Sequence, residues 1–530
     1  MPLYISGPQS SSDCGPLSLV CRQIEASYNS DKSRGKYKEV KNFGVAKTEE
    51  EADVLYSKAA EWIRTAHGQR EIDFGGDAVM HSERIEVERV LNNITSVILN
   101  GPQMILNQVY DSIGFNKIRD DVLRHLVIAR VCQPASKSAT AEYLKSYFHE
   151  DVSLDRIYRY MDKLYNRQRE LVQQISVEHT RKILGGRIGL LFYDVTTLYF
   201  ETGIQDELRT NGFSKDGKTS ESQIVLGLLV SADGYPLSYS IFNGSQYEGY
   251  TMIPVIDDFI QRFGIKDFVI VADSGLLSKA NVELLRQAGY KYILGARIKK
   301  ERSDVQEWIL SQPKIRGKYH EYRRKNGERL VLGFSEQRAK KDSHNRQKGI
   351  ERLRKAYGSG ILTKSSINRR GYNKFLTISK DVEVSVDEEA ITNDARWDGL
   401  KGYVSNTGLD AEDIVAQYHS LWYVERAFRI TKGNLEARPI FHFTEKRIEA
   451  HICICFIAYK VYKELQRIIQ LHGGIGFSVD KVLNIAKTIP TIKVNMPYND
   501  ELRASTLFLT EEHKRIKPLF DINAILKSLR

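Results

Sequence analysis

Two aspartates of this 530-residue chain each follow a run of apolar residues typical of a buried strand. Asp194 follows such a run in LLFYDVTT, and Asp273 follows one in FVIVADSG. A buried carboxylate without a partner costs free energy, so each should lie at a sheet edge in water or in a site that compensates its charge. For one aspartate alone, a strand-end loop residue is the simpler interpretation. Two in the same context suggest a shared divalent cation, because such cations prefer oxygen ligands.

A third carboxylate lies on a long amphipathic helix that we predict from about Asp410 to Gly433, a natural C-cap. On a period of 3.6 residues, one stripe of this helix holds seven side chains: Tyr418, Leu421, Trp422, Glu425, Phe428, Arg429 and Lys432. A core-facing stripe would be apolar throughout, yet Glu425 lies in its middle. The aromatic neighbours would half-bury Glu425, so it needs a partner. That partner is either a metal ion shared with the two aspartates or Arg429, one turn further along.

The segments around the two aspartates predict an α/β fold. IGLLFYDVTTLYFE has the continuous apolar and β-branched character of a central strand. Two more strands follow, joined by a turn at Asp233–Gly234. The series continues with a helix, YTMIPVIDDFIQRFG, then the strand FVIVADSG, a second helix and the strand YKYILGAR. We therefore expect a mixed sheet flanked by helices.

The N-terminal part of the chain carries two other patterns. Residues 1–47 predict a β-hairpin with a polar turn near Asn29–Gly35, and residues 48–184 have mainly helical periodicity. Within them, SLDRIYRYMDKL begins with a potential N-cap, Ser153, and places three basic side chains on one side: Arg156, Arg159 and Lys163. Such a helix either enters a major groove or packs in a bundle with a solvated face, and the sequence leaves both open.

The positive charge of the chain is concentrated in one segment. The formal net charge is +11, and residues 297–370 contain 22 Lys and Arg against 8 Asp and Glu. This concentration favours a surface that contacts phosphates over an ordinary solvated surface rich in lysine. The hairpin-like piece KYHEYRRKNGERLVLGFS contains our candidates for DNA contact there, Arg323, Arg324 and Lys325.

Composition excludes several classes of protein. With 42% hydrophobic and 27% charged residues and no low-complexity tract, the chain should be folded. No apolar run approaches the ~20 residues of a membrane span, and the N-terminus lacks the pattern of a signal peptide. The five cysteines have no zinc-site spacing, which indicates reduced thiols, and Cys453 and Cys455 are predicted to be core residues. We expect a soluble cytoplasmic protein associated with the nucleoid.

Together, Asp194 on the first strand, Asp273 on the fourth and Glu425 on a later helix resemble the DDE triad of ribonuclease H-like transposases. The helix is similar to the Tyr-x2-Arg-x3-Glu-x6-Lys signature of the IS-four-like group of insertion-sequence transposases, here Tyr418-x2-Leu421-x3-Glu425-x6-Lys432. Leu421 stands where that group has arginine, and Arg426 or Arg429 is the candidate to replace its DNA contact. The strings SKDGKTSESQIVLGLLVSADGYPLSYSIFNGS and LWYVERAFRITKGNLEARPIFHFTEKRIEAHI also resemble this group. The resemblance covers residues 185–470 well and the N-terminus loosely.

The resemblance implies a ribonuclease H-like mixed sheet flanked by helices, interrupted by a β-rich insertion and preceded by a mainly helical region. The basic segment falls in the place of that insertion. The expected regions are the N-terminal hairpin 1–47, a helical DNA-binding region 48–184, the first part of the catalytic core 185–297, the basic insertion 298–405, the second part of the core 406–475 and a C-terminal region 476–530.

The resemblance also implies a reaction. Asp194, Asp273 and Glu425 would bind two Mg²⁺ ions, with Mn²⁺ able to substitute, and the enzyme would cleave transposon ends and join the 3′-OH to target DNA. Tyr418 and Lys432 would contact phosphates or an end nucleotide near the ions. Double-stranded DNA is the expected partner, and a homodimer is expected in the DNA complex. Trp308 is a candidate to receive a flipped base, although a core tryptophan is the simpler interpretation.

Two other functions remain as alternatives. A ribonuclease H-like nuclease would cleave DNA without joining it. A non-catalytic DNA-binding protein derived from a transposase should have lost one of the three acids, and all three are present. A phosphatase or a kinase is disfavoured, because the chain has no phosphate-binding loop motif and no metal-binding histidine cluster.

Overall fold

The computed structural model describes residues 3–6, 17–25, 36–46, 49–66, 77–213, 217, 220–276, 278–359, 371–378, 384–473, 475–496 and 501–528. The turn predicted near Asn29–Gly35 and the basic residues 360–370 lie outside these ranges. Contacts divide the chain into two units, Met1–Thr95 with Val494–Arg503, and Ser96–Lys493 with Ala504–Arg530.

The first unit begins with an antiparallel sheet in the order β1-β2-β3. Its elements are β1 (Leu3–Ser6), β2 (Leu17–Glu25), β3 (Lys36–Ala46), α1 (Glu49–Ala66) and α2 (Asp77–Asn92), and β4 (Ile94–Ile98) leads out of it. The predicted hairpin corresponds to β2 and β3, to which the structure adds β1. Ala59 of α1 is fully buried against Phe43 and Trp62. The boundary at Thr95 therefore falls inside the region predicted as one helical domain, because α1 packs on this small sheet.

The second unit holds most of the chain. Its helices are α3 (Gly101–Ile113), α4 (Asp121–Cys132), α5 (Lys137–Tyr143), α6 (Leu154–Lys163), α7 (Arg169–Ile183), α8 (Met252–Phe263), α9 (Lys279–Gln287), α10 (Ser303–Ser311), α11 (Glu336–Gly358), α12 (Glu388–Ala395), α13 (Ala411–His419), α14 (Trp422–Lys432), α15 (Glu445–His472), α16 (Val479–Ala486), α17 (Glu511–Ile516) and α18 (Ile522–Ser528). Its strands are β5 (Leu190–Tyr199), β6 (Gln223–Ser231), β7 (Pro236–Asn243), β8 (Val269–Ala272), β9 (Lys291–Ala296), β10 (His320–Arg323), β11 (Arg329–Phe334), β12 (Leu376–Ile378), β13 (Val384–Val386) and β14 (Leu400–Ser405). The strands β15 (Thr491–Asn495) and β16 (Leu502–Thr506), like β4, cross the boundary between the units.

A mixed sheet of eight strands organises the second unit, in the order β10-β11-β14-β9-β8-β5-β6-β7. The neighbours β5, β8 and β9 are parallel, and the outer pairs are antiparallel. The predicted succession of three strands, helix, strand, helix and strand is confirmed as β5, β6, β7, α8, β8, α9 and β9. The predicted turn between β6 and β7 is also present, and Gly234 takes a positive φ of 83° there, which glycine adopts without strain.

Both faces of this sheet are covered, because alternate residues of each strand contribute to different cores. Phe192, Val271 and Ile293 belong to the core that also contains buried residues of α13, α14 and α15. Tyr193 and Ala272 belong to the core on the other face, which contains buried residues of α8, α9 and α10. The predicted sheet flanked by helices is therefore confirmed. Burial on both faces also explains why the strands of this sheet have nearly continuous apolar sequences.

The predicted long helix 410–433 is wrong as one continuous helix. The structure divides it into α13 and α14 at Ser420 and Leu421. At the break, the N–H groups of Leu421 and Val424 donate to carbonyls three residues back, those of Tyr418 and Leu421. These tighter turns change the helical phase, so the predicted stripe splits. Tyr418 and Leu421 are buried, whereas Trp422 and Glu425 are exposed.

The basic insertion joins the central sheet. It supplies β10 and β11, and β14 returns the chain to β9. A separate pair, β12 and β13, lies beside the small core of Ile350, Leu353 and Phe375. The insertion also contains α10, α11 and α12, of which α11 has 23 residues. Its helical content exceeds what the hairpin-like sequence pieces predicted.

Two expectations from composition can be compared with the described residues. None of their helices has the length and apolar character needed to cross a bilayer. Cys453 and Cys455 are both 1% exposed on α15, which confirms them as core residues, and Cys132 is a buried free thiol too.

Candidate active site

Asp194 and Asp273 lie side by side on neighbouring parallel strands. The register between β5 and β8 pairs Phe192 with Val271 and Tyr193 with Ala272, so one further step brings Asp194 level with Asp273. Asp194 was predicted at the end of its strand, but β5 continues to Tyr199. Strand residues at the same level on adjacent strands are about 5 Å apart, which is close enough for two carboxylates to share a cation.

Both aspartates belong to the same face of the sheet. Asp194 lies two residues after Phe192, and Asp273 lies two residues after Val271, so each aspartate shares a face of the sheet with that apolar residue. Both apolar residues belong to the core shared with α13, α14 and α15. On that face α13 contacts β8 and β9, while α14 contacts β5 and β6. Glu425 lies in the first turn of α14 and is exposed to solvent. The alternation of residues along the strands and the packing of the helices thus place all three predicted carboxylates on one side of the sheet.

Tyr418 fixes the position of Asp273. Its hydroxyl donates a hydrogen bond of 2.8 Å to Asp273 Oδ1, although the side chain is only 3% exposed. The hydroxyl lies over Gly295 of β9, where a Cβ atom would come within 2.5 Å of it. Glycine at this position is therefore a condition for the contact between α13 and the aspartate. We predicted a phosphate contact for Tyr418, and the structure gives its hydroxyl this aspartate partner.

Lys401 brings positive charge to the same place. It lies on β14, with its Nζ 4.4 Å from the centre of the Tyr418 ring, a cation–π contact. Tyr418 also packs edge-on against Tyr403, two residues along the strand. The carboxylates of Asp273 and Glu425 both act on the Lys401 ammonium, as does the guanidinium of Arg338. Sequence patterns did not point to Lys401, although the alternation of a lysine with Tyr403 in KGYVSNT could have indicated that it faces the aspartates.

The electrostatics of the site favour an ionised Asp273. Burial alone would raise the pKa of this carboxyl, but hydrogen bonds from Tyr418, Ser274 N–H and Gly275 N–H, together with the Lys401 charge, hold the pKa below its usual value. Burial lowers the pKa of Lys401, and repulsion by Arg338 lowers it further, whereas Asp273 and Glu425 oppose the change. Asp273 is therefore an anion ready to bind a cation at neutral pH.

The donor set fits a divalent metal ion. Three carboxylates supply hard oxygen ligands, two of them level on adjacent strands, and Asp273 and Glu425 are accessible from solvent. Two aspartates at such close range repel each other, and a divalent cation would relieve that repulsion. Within the described ranges, no three His, Cys, Asp or Glu side chains, these three carboxylates included, form a group that could hold a metal ion. The carboxylate–metal distances thus stay a prediction.

The remaining basic residues of the glutamate helix differ in their surroundings. Arg429 is exposed, Lys432 is half-buried at the end of α14, and the Arg426 guanidinium lies 5.7 Å from the Trp422 ring centre. Leu421, at the position of the family's arginine, is 5% exposed in the core. A hydrophobic side chain at that position therefore has a packing role here.

The predicted basic face of the helical region is present. Arg156, Arg159 and Lys163 are exposed on α6, while Ile157, Tyr160 and Met161 of the same helix are buried. Ser153 is the predicted N-cap, since its Oγ accepts from the Arg156 N–H. Lys163 forms an ion pair of 2.8 Å with Asp120. The helix packs in a bundle and presents a basic face, and the entry of that face into a major groove stays a prediction.

The three basic residues predicted to contact DNA in the insertion have different surroundings. Arg323 and Lys325 are exposed near the β10–β11 turn. Arg324, by contrast, bonds Glu301 at 2.5 Å and Glu328 at 2.9 Å, and Glu328 is only 2% exposed. β10 is four strands from β8, which corresponds to about 19 Å. Arg324 is therefore neutralised within the protein, and the other two lie well away from Asp273.

Other basic residues of the insertion lie nearer to the carboxylates. A cleft of about 450 Å³ is lined by Arg297, Lys299, Lys300 and Arg338. Arg297 donates to the carbonyls of Ser274 and Gly275, directly after Asp273. Trp308 packs against Tyr322 at the edge of the core, with ring centres 5.2 Å apart, which favours its interpretation as a core tryptophan.

Comparison with known protein families identifies the family of this chain. Residues 186–460 match the family described as "Transposase DDE domain". Among solved structures, the chain is similar to a piggyBac transposase synaptic complex with hairpin DNA, with 12% identity, a TM-score of 0.38 and coverage of 68% of either chain. It is also similar to the Mos1 transposase in a paired-end complex with the left transposon end, with 8% identity, a TM-score of 0.15 and coverage of 30% of this chain and 53% of that one. No curated protein matches the chain. The family match spans more than half of the sequence and contains all three carboxylates.

Proposed function

This chain belongs to the transposase DDE-domain family and is an enzyme acting on DNA, and we propose that Asp194, Asp273 and Glu425 are its catalytic carboxylates. The observation that carries this proposal is the β5–β8 register, which sets Asp194 level with Asp273 on the sheet face that α14 covers. The proposed reaction is hydrolysis at a transposon end, followed by attack of the exposed 3′-OH on target DNA.

Members of this family use divalent metal ions, and Mg²⁺ is the proposed ion here, with Mn²⁺ as a substitute. Asp194, Asp273 and Glu425 would hold it through carboxylate oxygens. When bound, such ions activate the attacking oxygen and stabilise charge on the phosphate and the leaving group. No covalent intermediate with the enzyme is needed, so no serine or tyrosine nucleophile is assigned.

The other residues of the site position these groups. Tyr418 orients Asp273 through its hydrogen bond and keeps it ionised. Lys401, drawn to Asp273 and Glu425 before DNA binds, can turn its ammonium to a phosphate oxygen once a cation neutralises the acids. Lys432, at the end of α14, is the proposed contact for a neighbouring phosphate. These roles make Tyr418 a positioning residue and Lys401 a proposed phosphate contact.

Replacing Glu425 by glutamine tests the proposal. Glutamine keeps the size of the side chain but removes the charge that a metal ligand needs. The variant should bind end DNA in a gel shift yet neither nick nor join the same labelled duplex with Mg²⁺. Lys432→Ala should lose part of both binding and cleavage, because a phosphate contact serves ground state and transition state together. Cleavage by Glu425→Gln at a near wild-type rate would make Glu425 a structural partner of Arg429.

A joining assay separates transposition from simple nuclease action. With pre-cleaved ends and a target plasmid, a transposase gives joined products, whereas a ribonuclease H-like nuclease gives none.

We also propose that the protein acts as a homodimer on DNA, since two ends must be brought together. Sedimentation with end DNA should give a mass of two chains and two duplexes, and a mass of one chain would contradict the dimer.

A further inference from the structure

A second group of charged residues surrounds a cavity away from the carboxylates. The cavity has a volume of about 170 Å³ and lies between the start of α5, the loop 434–444 and α15. Three cationic side chains and two imidazoles line it: Arg130, Lys137, Arg438, His442 and His451. The carboxylate in this lining, Glu436, is exposed to solvent. The cavity wall therefore carries an excess of positive charge.

Two of these cations are deeply buried. Lys137 and Arg130 are each 5% exposed. The Lys137 Nζ lies 3.3 Å from His451 Nδ1, and the opposite ring nitrogen of His451 faces the Ala437 carbonyl at 3.1 Å. His451 is thus a neutral acceptor for the lysine. Arg130 donates to the Ala135 carbonyl at 2.9 Å. A lysine carries three N–H donors and an arginine five, so each has more donors than these hydrogen bonds use.

The positive charges around the cavity repel one another. Burial lowers the pKa of Lys137 to about 7, and repulsion by Arg130 acts in the same direction. Burial, followed by the charges of Lys137 and Arg130, lowers the pKa of His442 to about 3. Buried cations are costly without a compensating anion, and such an arrangement is stable only when it serves a ligand or is neutralised. A metal ion would meet the same repulsion, so the wall favours an anion.

We propose that this cavity binds a phosphate group through Arg130, Lys137 and Arg438. The cavity has room for one phosphate group, its donors are of the types that bind phosphate in proteins, and Ser136 adds a hydroxyl at the rim. The phosphate is either that of a DNA strand or free inorganic phosphate. Its chemistry is the same in both cases, and the experiment separates the two sources.

The position of the cavity relates it to the carboxylate site. Ile440 N–H donates to the Tyr199 carbonyl at 3.2 Å, and Arg438 lies over the Tyr199 ring at 5.5 Å. Tyr199 is five residues after Asp194 on β5, which is about 17 Å along the strand. Neighbouring phosphates of a DNA strand are about 3.4 Å apart along the axis, so a DNA phosphate in the cavity would lie several base pairs from the scissile phosphate. This DNA form of the inference rests on the proposed function.

Lys137→Met tests the site in the full-length protein. Methionine fills the same space without charge, and Lys145→Met, an exposed lysine of the same helical segment, is the matched control. Inorganic phosphate at ten times its Kd should raise the Tm of wild type and of the control by about 2 °C over sodium chloride of equal ionic strength, and leave Lys137→Met unchanged. Calorimetry in two buffers at pH 8 should show proton uptake by wild type and by Lys145→Met but not by Lys137→Met, because the anion favours the charged lysine. An equal Tm rise in Lys137→Met overturns the site.

The source of the phosphate is decided with end DNA. If a DNA strand supplies it, Lys137→Met binds end DNA on the order of tenfold more weakly, with a salt slope lower by about one. One neutral methylphosphonate, moved along the end DNA one position at a time, then weakens wild type by a similar factor at a position several base pairs from the cleavage site and leaves Lys137→Met unaffected. If free phosphate is the ligand, DNA affinity is unchanged in Lys137→Met and the Tm result stands. If neither phosphate nor DNA distinguishes Lys137→Met from Lys145→Met, the proposal is wrong, and the Glu425→Gln test of the catalytic carboxylates is unaffected.

Discussion

The carboxylate site and the buried ionic cluster on α15 both place acidic groups beside the central sheet. They differ in how the acidic groups are partnered and in how far solvent reaches them. The buried ionic cluster consists of Glu464, Arg467, His179, Tyr235 and Lys460. Glu464, fully buried, accepts from Arg467 at 2.6 Å and from the Tyr235 hydroxyl at 2.8 Å. Lys460, also fully buried, donates to Ser176 and Thr180 of α7. Glu464 is paired with Arg467 there, and the Lys460 ammonium has hydrogen-bond acceptors.

In the carboxylate site the acids outnumber the cation beside them. Asp194, Asp273 and Glu425 share a sheet face where Lys401 is the cation that both Asp273 and Glu425 act on. Two of the three acids are exposed rather than enclosed. The buried ionic cluster is enclosed within the protein, whereas Asp273 and Glu425 are open to solvent, from which a cation can reach them. Under the proposed function, the difference separates groups that hold the fold from groups that bind and react. It also predicts opposite effects of similar substitutions.

The largest expected effect is on catalysis, from Asp273→Asn. Asparagine can still accept the Tyr418 hydrogen bond, but it is a poor ligand for a divalent ion. We expect cleavage to fall by roughly 10³-fold, since a metal contributes several kcal/mol to the transition state. The Tm should stay the same or rise, because the repulsion between adjacent aspartates is removed. Cleavage of labelled end DNA and thermal melting measure the two results. A large fall in Tm with retained cleavage would place Asp273 with the buried ionic cluster.

Glu464→Gln should show the opposite pattern. Removing one partner of a buried ion pair leaves Arg467 uncompensated, so the free energy of unfolding should fall by about 3 kcal/mol. The folded fraction should cleave DNA at the wild-type rate. Glu445→Gln, an exposed position on the same helix, is the control and should stay within about 0.5 kcal/mol of wild type. Urea unfolding measures both. A stable but inactive Glu464→Gln would mean that the cluster takes part in the reaction.

The same cluster predicts a pH dependence of stability. Burial alone would raise the pKa of Glu464, but hydrogen bonds from His179 and Arg467 lower it to about 2 in the folded protein, below the usual value of 4.5. A lowered carboxyl pKa gives stability that is fully present above the unfolded pKa and is lost as pH falls from about 4.5 to 2. Wild type should lose stability more steeply than Glu464→Gln across this interval. Parallel curves would show that Glu464 is not the titrating group.

Lys401→Met should have a moderate effect on the carboxylate site. Without the ammonium, the acids attract a cation more strongly, so half-maximal activation should need several-fold less Mg²⁺. Cleavage at saturating Mg²⁺ should fall about tenfold, because a phosphate contact is lost. Lys401→Arg should restore part of the rate. Titrating Mg²⁺ in the cleavage assay checks both results, and an unchanged activation curve would remove Lys401 from the site.

The smallest expected effect concerns the insertion. Arg323→Ala with Lys325→Ala should lower the salt slope of DNA binding by up to two and leave stability unchanged, if these exposed residues contact phosphates. Arg324→Ala should instead reduce stability with an unchanged slope, because its charge is paired with Glu301 and Glu328. Binding at several salt concentrations, with urea unfolding in parallel, distinguishes them. Equal slopes in all three proteins would show that this turn does not contact DNA.

The sequence by itself indicated five strands of the central sheet, β5 to β9, their order along the chain and the three candidate acids. Apolar runs that end in an aspartate are a local property, and so is the hairpin signal at Asp233–Gly234. The spacing from Tyr418 to Lys432 could likewise be read from the chain, and with it the family. These features follow from steric preferences and from the cost of burying charge, and both act on neighbouring residues.

Only the tertiary structure decided which residues complete the site and where the helix breaks. Lys401 is 128 residues from Asp273, and the sheet brings them together because β14 joins β9 across the whole insertion. The division of the predicted helix at Ser420 arises because α13 packs on β8 and β9 whereas α14 packs on β5 and β6. Arg324 and Lys325 look alike in sequence, yet long-range pairing with Glu301 neutralises only the first. Contacts between distant segments depend on burial and register over the whole fold, which a local pattern does not contain.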